Sequence, residues 1–186
     1  MLNESHVIQV RLTDQMLDMC QHFALELCHW DSPSLIFDNK MERANRKWQD
    51  SYTGILGEAA VAFWLGRYSE WIECRSLAAV SKNPQLPYDI PGTIIDAKAR
   101  AISKEQPDPL GYKMYVREVS THKQATFVQV VVDASEHHAL CHIVGWMGTD
   151  EIITTQHLDA TTKYSIKACD LHPIPKIHGV IPGGDR

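Results

Sequence analysis

The sequence predicts an α/β fold, a mixed β-sheet flanked by α-helices on both faces, and three observations support it. Segments with apolar residues spaced three and four apart come first along the 186-residue chain. A cluster of β-branched runs follows, with shorter helical segments after it. That order is typical of a sheet layered with helices. We expect one domain over residues 1–186, with a helical N-terminal part at about 1–50 and a loose tail at about 173–186.

Two amphipathic helices are predicted in the first half of the chain, after a short apolar lead-in at 7–10. The first begins at Thr13 or Asp14 and is broken at 31–34, where a proline lies among short polar residues. A polar, partly helical segment then leads to the second helix, 51–66. We expect this helix to begin at Ser51 or Thr53 and to end near Gly66.

The remaining elements are mostly strands. Strands are predicted at 71–74, on both sides of the Pro91-Gly92 dipeptide, and at 127–132, 140–146 and 164–167. Pro91-Gly92 suits a tight turn, and 102–111, which contains two prolines, is expected to be a loop. Residues 149–151 can begin a short helix.

Composition limits the classes of function. The apolar fraction of 44% and the charged fraction of 22% are ordinary for a globular protein, and the net charge of -5 excludes a generally cationic nucleic-acid binder. No segment predicts a membrane span or a signal peptide, so we expect no membrane partner and a cytoplasmic location. The cysteines form no C-x-x-C pair and are expected to be reduced and mostly buried: Cys20, Cys28, Cys74, Cys141 and Cys169.

The segment 93–100 predicts a strand that carries chemistry on one face. Side chains alternate along a strand, so Asp96, Lys98 and Arg100 share one face. The other face is small and apolar and can pack against a helix. If the segments around Pro91-Gly92 pair as a hairpin, Asp89 comes close to Asp96. Two adjacent carboxylates favour a hard divalent cation such as Mg²⁺ between them.

Glu58 is an independent indication of a site. It lies on a helix that is apolar nearly all round, where a lone carboxylate costs several kcal/mol unless it is paired or bound to a metal. Gly54 and Gly57 precede it and would allow another backbone to approach closely. A cation held between Asp89 and Asp96 is one plausible partner for Glu58.

These residues together resemble the ordered signature of the PD-(D/E)XK (restriction-endonuclease-like) nuclease superfamily. The matching segments are 54–60 around Glu58, 87–90 around Asp89, and Ile95-Asp96-Ala97-Lys98. The resemblance implies a mixed sheet flanked by helices and Mg²⁺- or Mn²⁺-dependent cleavage of nucleic-acid phosphodiesters, with DNA the expected substrate. By position, Asp89, Asp96 and the Ala97 carbonyl would bind the metal, and Glu58 would complete its shell. Lys98 would position or activate the attacking water and stabilise charge developing on the phosphate.

The sequence departs from the signature at one position. Tyr88 precedes Asp89, so the Pro-Asp pair that gives the family its name is absent. A literal pair at Pro107-Asp108 follows the Asp-x-Lys segment, and we interpret it as part of a loop. A surface salt bridge between Asp96 and Lys98 is the alternative interpretation of that pair of residues. The histidines, including His137, His138 and His142, lack zinc-site spacing.

Basic residues near the motif are candidate nucleic-acid contacts, although solvated helix faces explain such residues more often. The candidates are Arg43, Lys47, Arg100 and Lys104. Our first hypothesis is a small phage-type nuclease acting in a bacterial or phage-infected cell, with a homodimer as one option for cutting both strands of a duplex. The alternative is a catalytically silent nuclease-fold domain that binds nucleic acid or a protein partner.

Overall fold

The computed structural model describes residues 6–30, 40–81, 88–134 and 138–174. Within these ranges the protein is a mixed α/β structure with four α-helices and a mixed four-stranded sheet. The predicted break at 31–34 and most of the predicted tail, from residue 175, lie outside the described residues. No helix in the described ranges is long and apolar enough to cross a membrane.

The elements follow one another along the chain as strand, three helices, four strands, helix and strand. They are β1 (Ile8–Leu12), α1 (Asp14–Trp30), α2 (Lys40–Trp64), α3 (Tyr68–Ser81), β2 (Ile95–Ala101), β3 (Lys113–Arg117), β4 (Thr126–Ala134), β5 (Ala139–Gly148), α4 (Thr149–Thr155) and β6 (Lys163–Lys167).

The central sheet has the order β1-β5-β4-β2. Its one parallel pair joins β4 to β2, the edge strand that carries Asp96 and Lys98. Asp96 pairs with Phe127 in that register, and Lys98 with Gln129. β3 and β6 form a separate antiparallel ribbon of two strands. β2 is therefore an edge strand whose open side is free to border a site.

Two apolar cores lie on opposite faces of the central sheet. Helices α1, α2 and α3 cover one face, where Val128, Val130 and Val132 meet the apolar sides of the helices. The ribbon β3–β6 and helix α4 cover the other face, packing on Phe127 and Val131. The prediction of helices on both faces is thus confirmed only in part, since a two-stranded ribbon supplies much of the second layer.

Several predicted boundaries are wrong, most clearly at 71–74. This segment is helical, within α3, because Tyr68, Trp71 and Ile72 recur at helical spacing and pack on the first core. The helix predicted from 51 begins instead at Lys40, and Trp48 stacks on Tyr52 across the expected boundary. β3 was not predicted, and the lead-in at 7–10 belongs to β1.

Candidate active site

Asp96 and Lys98 occupy the face of β2 that the alternation predicts. Ala97 and Ala99 pack against the helical core, so the side chains of Asp96 and Lys98 point to the other side of the sheet. Asp96 is 5% exposed. One of its oxygens accepts a hydrogen bond from Nζ of Lys98, and the other pairs with Nζ of Lys123 at 3.0 Å. Asp96 therefore lies between two ammonium groups.

Asp89 reaches the site through a turn: residues 88–90, before Pro91-Gly92, form no strand, and the residues ahead of them, 82–87, lie outside the described ranges. The N–H of Thr93 donates to the carbonyl of Ile90 at 3.3 Å, and Gly92 adopts a φ of 68°, as a tight turn of type II requires. The N–H of Asp89 donates to the carbonyl of Ile95 at 3.1 Å. The hairpin prediction is wrong, yet the turn still folds Asp89 back onto β2.

The carboxylate of Asp89 is fixed by the backbone of β2. Its Oδ2 accepts the N–H of Ala97 at 2.8 Å, and its side chain also interacts with that of Asp96. Burial, together with the charges of Glu58 and Asp96, raises the pKa of Asp89 well above its ordinary range. Burial also acts to raise the pKa of Asp96, but Lys98 and Lys123 outweigh it and lower that pKa.

Glu58 lies behind these two residues on α2 and is 8% exposed. Its Oε2 accepts hydrogen bonds from the guanidinium of Arg75 and, at 3.2 Å, from Nε1 of Trp71. Burial raises the pKa of Glu58, and the contacts with Arg75 and Trp71 offset this only in part. The predicted need of this carboxylate for a partner is therefore confirmed, and its partners are two side chains of α3, Trp71 and Arg75.

Arg75 links two of the predicted residues. It is 7% exposed, contacts Glu58 directly and lies 4.0 Å from Oδ1 of Asp89. Arg75 and Trp71 are not among the predicted site residues, because a strand was expected at 71–74. Their positions four apart, with Tyr68 and Ala78 on the same side, were the signal that a helix presents Arg75 toward α2.

Two aromatic rings support the lysines of the site. Nζ of Lys98 lies 5.4 Å from the ring centre of Phe127, and Nζ of Lys123 lies 4.8 Å from that of Tyr88. The hydroxyl of Tyr88 donates to the carbonyl of Gln124 at 2.9 Å. Tyr88, which stands where the signature has proline, thus fastens the Asp89 segment to the loop that carries Lys123.

The remaining predicted residues are dispersed. Arg100 and Lys104 are exposed, and the guanidinium of Arg100 lies 4.9 Å from the ring centre of Tyr115. Lys47 is half-buried on α2, and Arg43 lies on the same helix with its side chain outside the described part. Asp108 accepts the N–H of Leu110 at 2.9 Å and begins a short 3₁₀ helix, as its interpretation as a loop residue implies.

The cysteines and histidines give no sign of a second centre in the described ranges. Cys20 and Cys141 are buried, Cys74 is half-buried, and Cys169 is exposed; all four are free thiols. Across the same ranges, no group of three His, Cys, Asp or Glu side chains is arranged to hold a metal ion. In the cluster formed by Glu58, Asp89 and Asp96, cationic side chains already contact two of the three carboxylates. Arg75 contacts Glu58, and two lysines contact Asp96.

No known protein family, curated protein or solved structure matches this chain. The resemblance to a nuclease signature therefore rests on the motif residues alone.

Proposed function

We propose that the protein is a divalent-metal-dependent nuclease of the PD-(D/E)XK type that hydrolyses DNA phosphodiester bonds. The convergence of Asp89, Asp96 and Lys98 at the edge strand β2, with Glu58 directly behind them, carries the proposal. The parallel pairing of β2 with β4 inside a mixed sheet agrees with the core that the resemblance implies. Free cysteine thiols agree with a cytoplasmic site of action.

The donor chemistry of the pair Asp89 and Asp96 fits a hard divalent cation. Their carboxylates interact directly, and the raised pKa of Asp89 reflects burial next to other negative charges, which a cation would relieve. Asp89 and Asp96 would hold Mg²⁺ or Mn²⁺, and the Ala97 carbonyl stays a predicted third ligand. When bound, the ion would neutralise phosphate charge and lower the pKa of water. Glu58, held by Arg75 and Trp71, would keep the carboxylates in position rather than contact the ion directly.

The lysines of the chain would act on the phosphate. Lys98 and Lys123 approach Asp96 from two sides, so a phosphate bound beside Asp96 would meet two ammonium groups. Fixed positive charge near the oxygens of a phosphodiester stabilises the negative charge that develops during hydrolysis. The ring of Phe127 beneath Lys98 restricts where that ammonium can move. Lys98 would therefore orient the attacking water and the phosphate.

A catalytically silent domain that binds nucleic acid or a protein is the second candidate, and one observation favours it. Asp96 and Glu58 already have cationic partners within the chain, so the cluster is electrically balanced without a metal. A folded binding domain could retain such ion pairs for stability alone.

The test is cleavage of linear, circular, single-stranded and branched DNA with Mg²⁺, with Mn²⁺ and with chelator. We expect metal-dependent cleavage by the wild type, and a loss of at least a hundredfold in Asp96→Asn. Asp18→Asn, at an exposed position on α1, is the control and should cleave normally. Cleavage of no substrate would favour the silent domain, and equal cleavage by Asp96→Asn would show that the site lies elsewhere.

Lys98→Ala separates the roles within the site. We expect this variant to lose cleavage and still bind Mn²⁺ in a calorimetric titration, because the lysine acts on the phosphate and not on the ion. Loss of both would contradict the role given to Lys98. Sedimentation of the protein with a cleavage-resistant duplex would show whether two copies assemble to cut both strands.

A further inference from the structure

The outer face of the ribbon β3–β6 is unusually basic. Met114, Val116, Tyr164 and Ile166 pack into the second core, so the alternate residues of both strands point outward. We name this outward surface the ribbon face; its residues are Lys113, Tyr115, Arg117, Lys163, Ser165 and Lys167. Four of the six carry a positive charge, in a chain whose net charge is -5.

The cations of the ribbon face lie directly opposite one another. Lys113 pairs with Lys167 across the strands, and Arg117 pairs with Lys163. Like charges at directly opposed positions destabilise a sheet. None of the four forms an ion pair with a carboxylate within 4.0 Å in the described residues, although Asp159 accepts the backbone N–H of Lys163 at 3.0 Å and its carboxylate also interacts electrostatically with the charge of Lys163. The arrangement costs stability, and an anionic ligand would offset that cost.

The ribbon face is continuous with the carboxylate cluster. Arg100 of β2 lies over the ring of Tyr115, at 4.9 Å from its centre. A groove of about 400 Å³ between the two elements is lined by Lys98, Arg100, Tyr115 and Lys163. Lys98, one of these lining residues, contacts Asp96. A strip of positive charge therefore runs from the ribbon to the proposed site of hydrolysis.

We propose that the ribbon face binds the phosphate backbone of duplex DNA and guides it along β2 to Asp96. The choice of DNA among polyanions rests on the proposed nuclease function. The two opposed cation pairs are four residues apart, roughly 13 Å along a strand, which equals the rise of about four base-pair steps along a duplex axis. Lysine and arginine contacts to phosphates position a duplex without reading its sequence, so the binding is independent of base sequence.

The experiment measures binding of a fluorescein-labelled duplex by anisotropy over a range of salt concentrations, with chelator present so that no cleavage occurs. In the double variant Lys113→Ala/Lys167→Ala we expect weaker binding and a slope of log K against log salt that is shallower by about 1.8, because two phosphate contacts are lost. Arg117→Ala/Lys163→Ala should give the same change. Arg11→Ala removes an exposed cation from β1, at the opposite edge of the sheet, and should leave the slope unchanged.

The outcomes separate this proposal from the nuclease proposal. An unchanged slope in both double variants overturns the role of the ribbon face, whatever the cleavage assays show. Equal binding of polyglutamate at the same salt concentration also overturns it, because the surface would then be an acidic-protein site. A shallower slope in a protein that cleaves no DNA would support the ribbon face and contradict only the nuclease. Circular dichroism of each variant checks that these exposed substitutions leave the fold intact.

Discussion

Asp89 and Asp96 lie a few residues apart, and their pKa values are shifted in opposite directions: that of Asp89 is raised and that of Asp96 is lowered. Asp96 is placed between Lys98 and Lys123, which favour its charged form. Asp89 is half-buried and faces Glu58 and Asp96, and both its partial burial and these negative charges favour its protonated form. Neighbouring acids whose pKa values are pushed apart are a common property of hydrolytic sites.

The raised pKa of Asp89 predicts a specific dependence of stability on pH. In the folded protein Asp89 holds its proton to higher pH than in the unfolded chain, where its pKa is about 4. Its contribution to stability is therefore present below about pH 4 and is lost as the pH rises through the folded-state value. The substitution Asp89→Asn keeps an oxygen that can accept the N–H of Ala97 and removes the charge.

We expect Asp89→Asn to melt a few degrees above the wild type at neutral pH in chelator, and to show less loss of Tm between pH 4 and neutrality. Thermal melts by circular dichroism across that range would measure both effects. Saturating Mg²⁺ should raise the Tm of the wild type and leave that of Asp89→Asn almost unchanged. A variant that melts below the wild type at neutral pH would show that Asp89 is ionised and stabilising.

At the scale of elements, the contact of α2 with β2 depends on one glycine. A Cβ built on Gly57 would lie 2.5 Å from Cβ of Ala99, so α2 approaches β2 more closely than a larger residue allows. Gly54 has nothing within 4 Å of such an atom. Close approach of another backbone was predicted at both glycines; it is confirmed at Gly57 and wrong at Gly54.

These two glycines form a matched pair of substitutions. Gly57→Ala should lower the free energy of unfolding by about 1–3 kcal/mol, because α2 must move away from β2. Gly54→Ala should raise it by about 0.5–1 kcal/mol, because alanine restricts the unfolded chain and suits a helix. Urea denaturation measures both values. Equal effects of the two substitutions would contradict the close packing of Gly57 on Ala99.

The contact between α2 and α3 depends on the buried pair Glu58 and Arg75. Removing one partner of a buried ion pair leaves an uncompensated charge and costs about 3–5 kcal/mol. We expect Arg75→Met to destabilise the protein by an amount in this range at neutral pH. Adding Glu58→Gln to that variant should recover most of the loss, in a double-mutant cycle measured by urea denaturation. Additive losses would show that the two side chains stabilise the protein independently.

At the scale of the whole molecule, β4 is the strand on which both cores depend. Residues 126–132 are buried, and the apolar side chains among them are divided between the helical core (Val128, Val130 and Val132) and the ribbon core (Phe127 and Val131). β4 also has hydrogen-bonded neighbours on both sides, whereas β1 and β2 each have one. Opening β4 would therefore break both layers at once.

We expect the amides of β4 to exchange with solvent more slowly than those of the edge strands β1 and β2. Their protection should approach the free energy of global unfolding, because no partial opening exposes them. Native-state hydrogen exchange resolved by residue would test this. The edge strand β1 contacts the same helical core and is the internal comparison, and faster exchange in β4 than in β1 would contradict the prediction.

The sequence alone determined the features that depend on local periodicity. Alternation along β2 placed Asp96 and Lys98 on one face and Ala97 and Ala99 on the other. The end of α2 also followed from its residues, because Gly66 adopts a φ of 71° just after Trp64, where the helix stops. The apolar surroundings of Glu58 showed that this carboxylate requires a partner.

Only the tertiary structure decided which partners those residues have. Arg75 of α3 pairs with Glu58, and Lys123, from a loop before β4, pairs with Asp96. A turn, and not a hairpin, brings Asp89 to the cluster. The periodicity of a sequence reports which side of an element a residue occupies, whereas the partner of a buried charge is set by the packing of distant segments. Periodicity also failed to predict α3, because the four residues at 71–74 are too few to distinguish a strand from one turn of a helix.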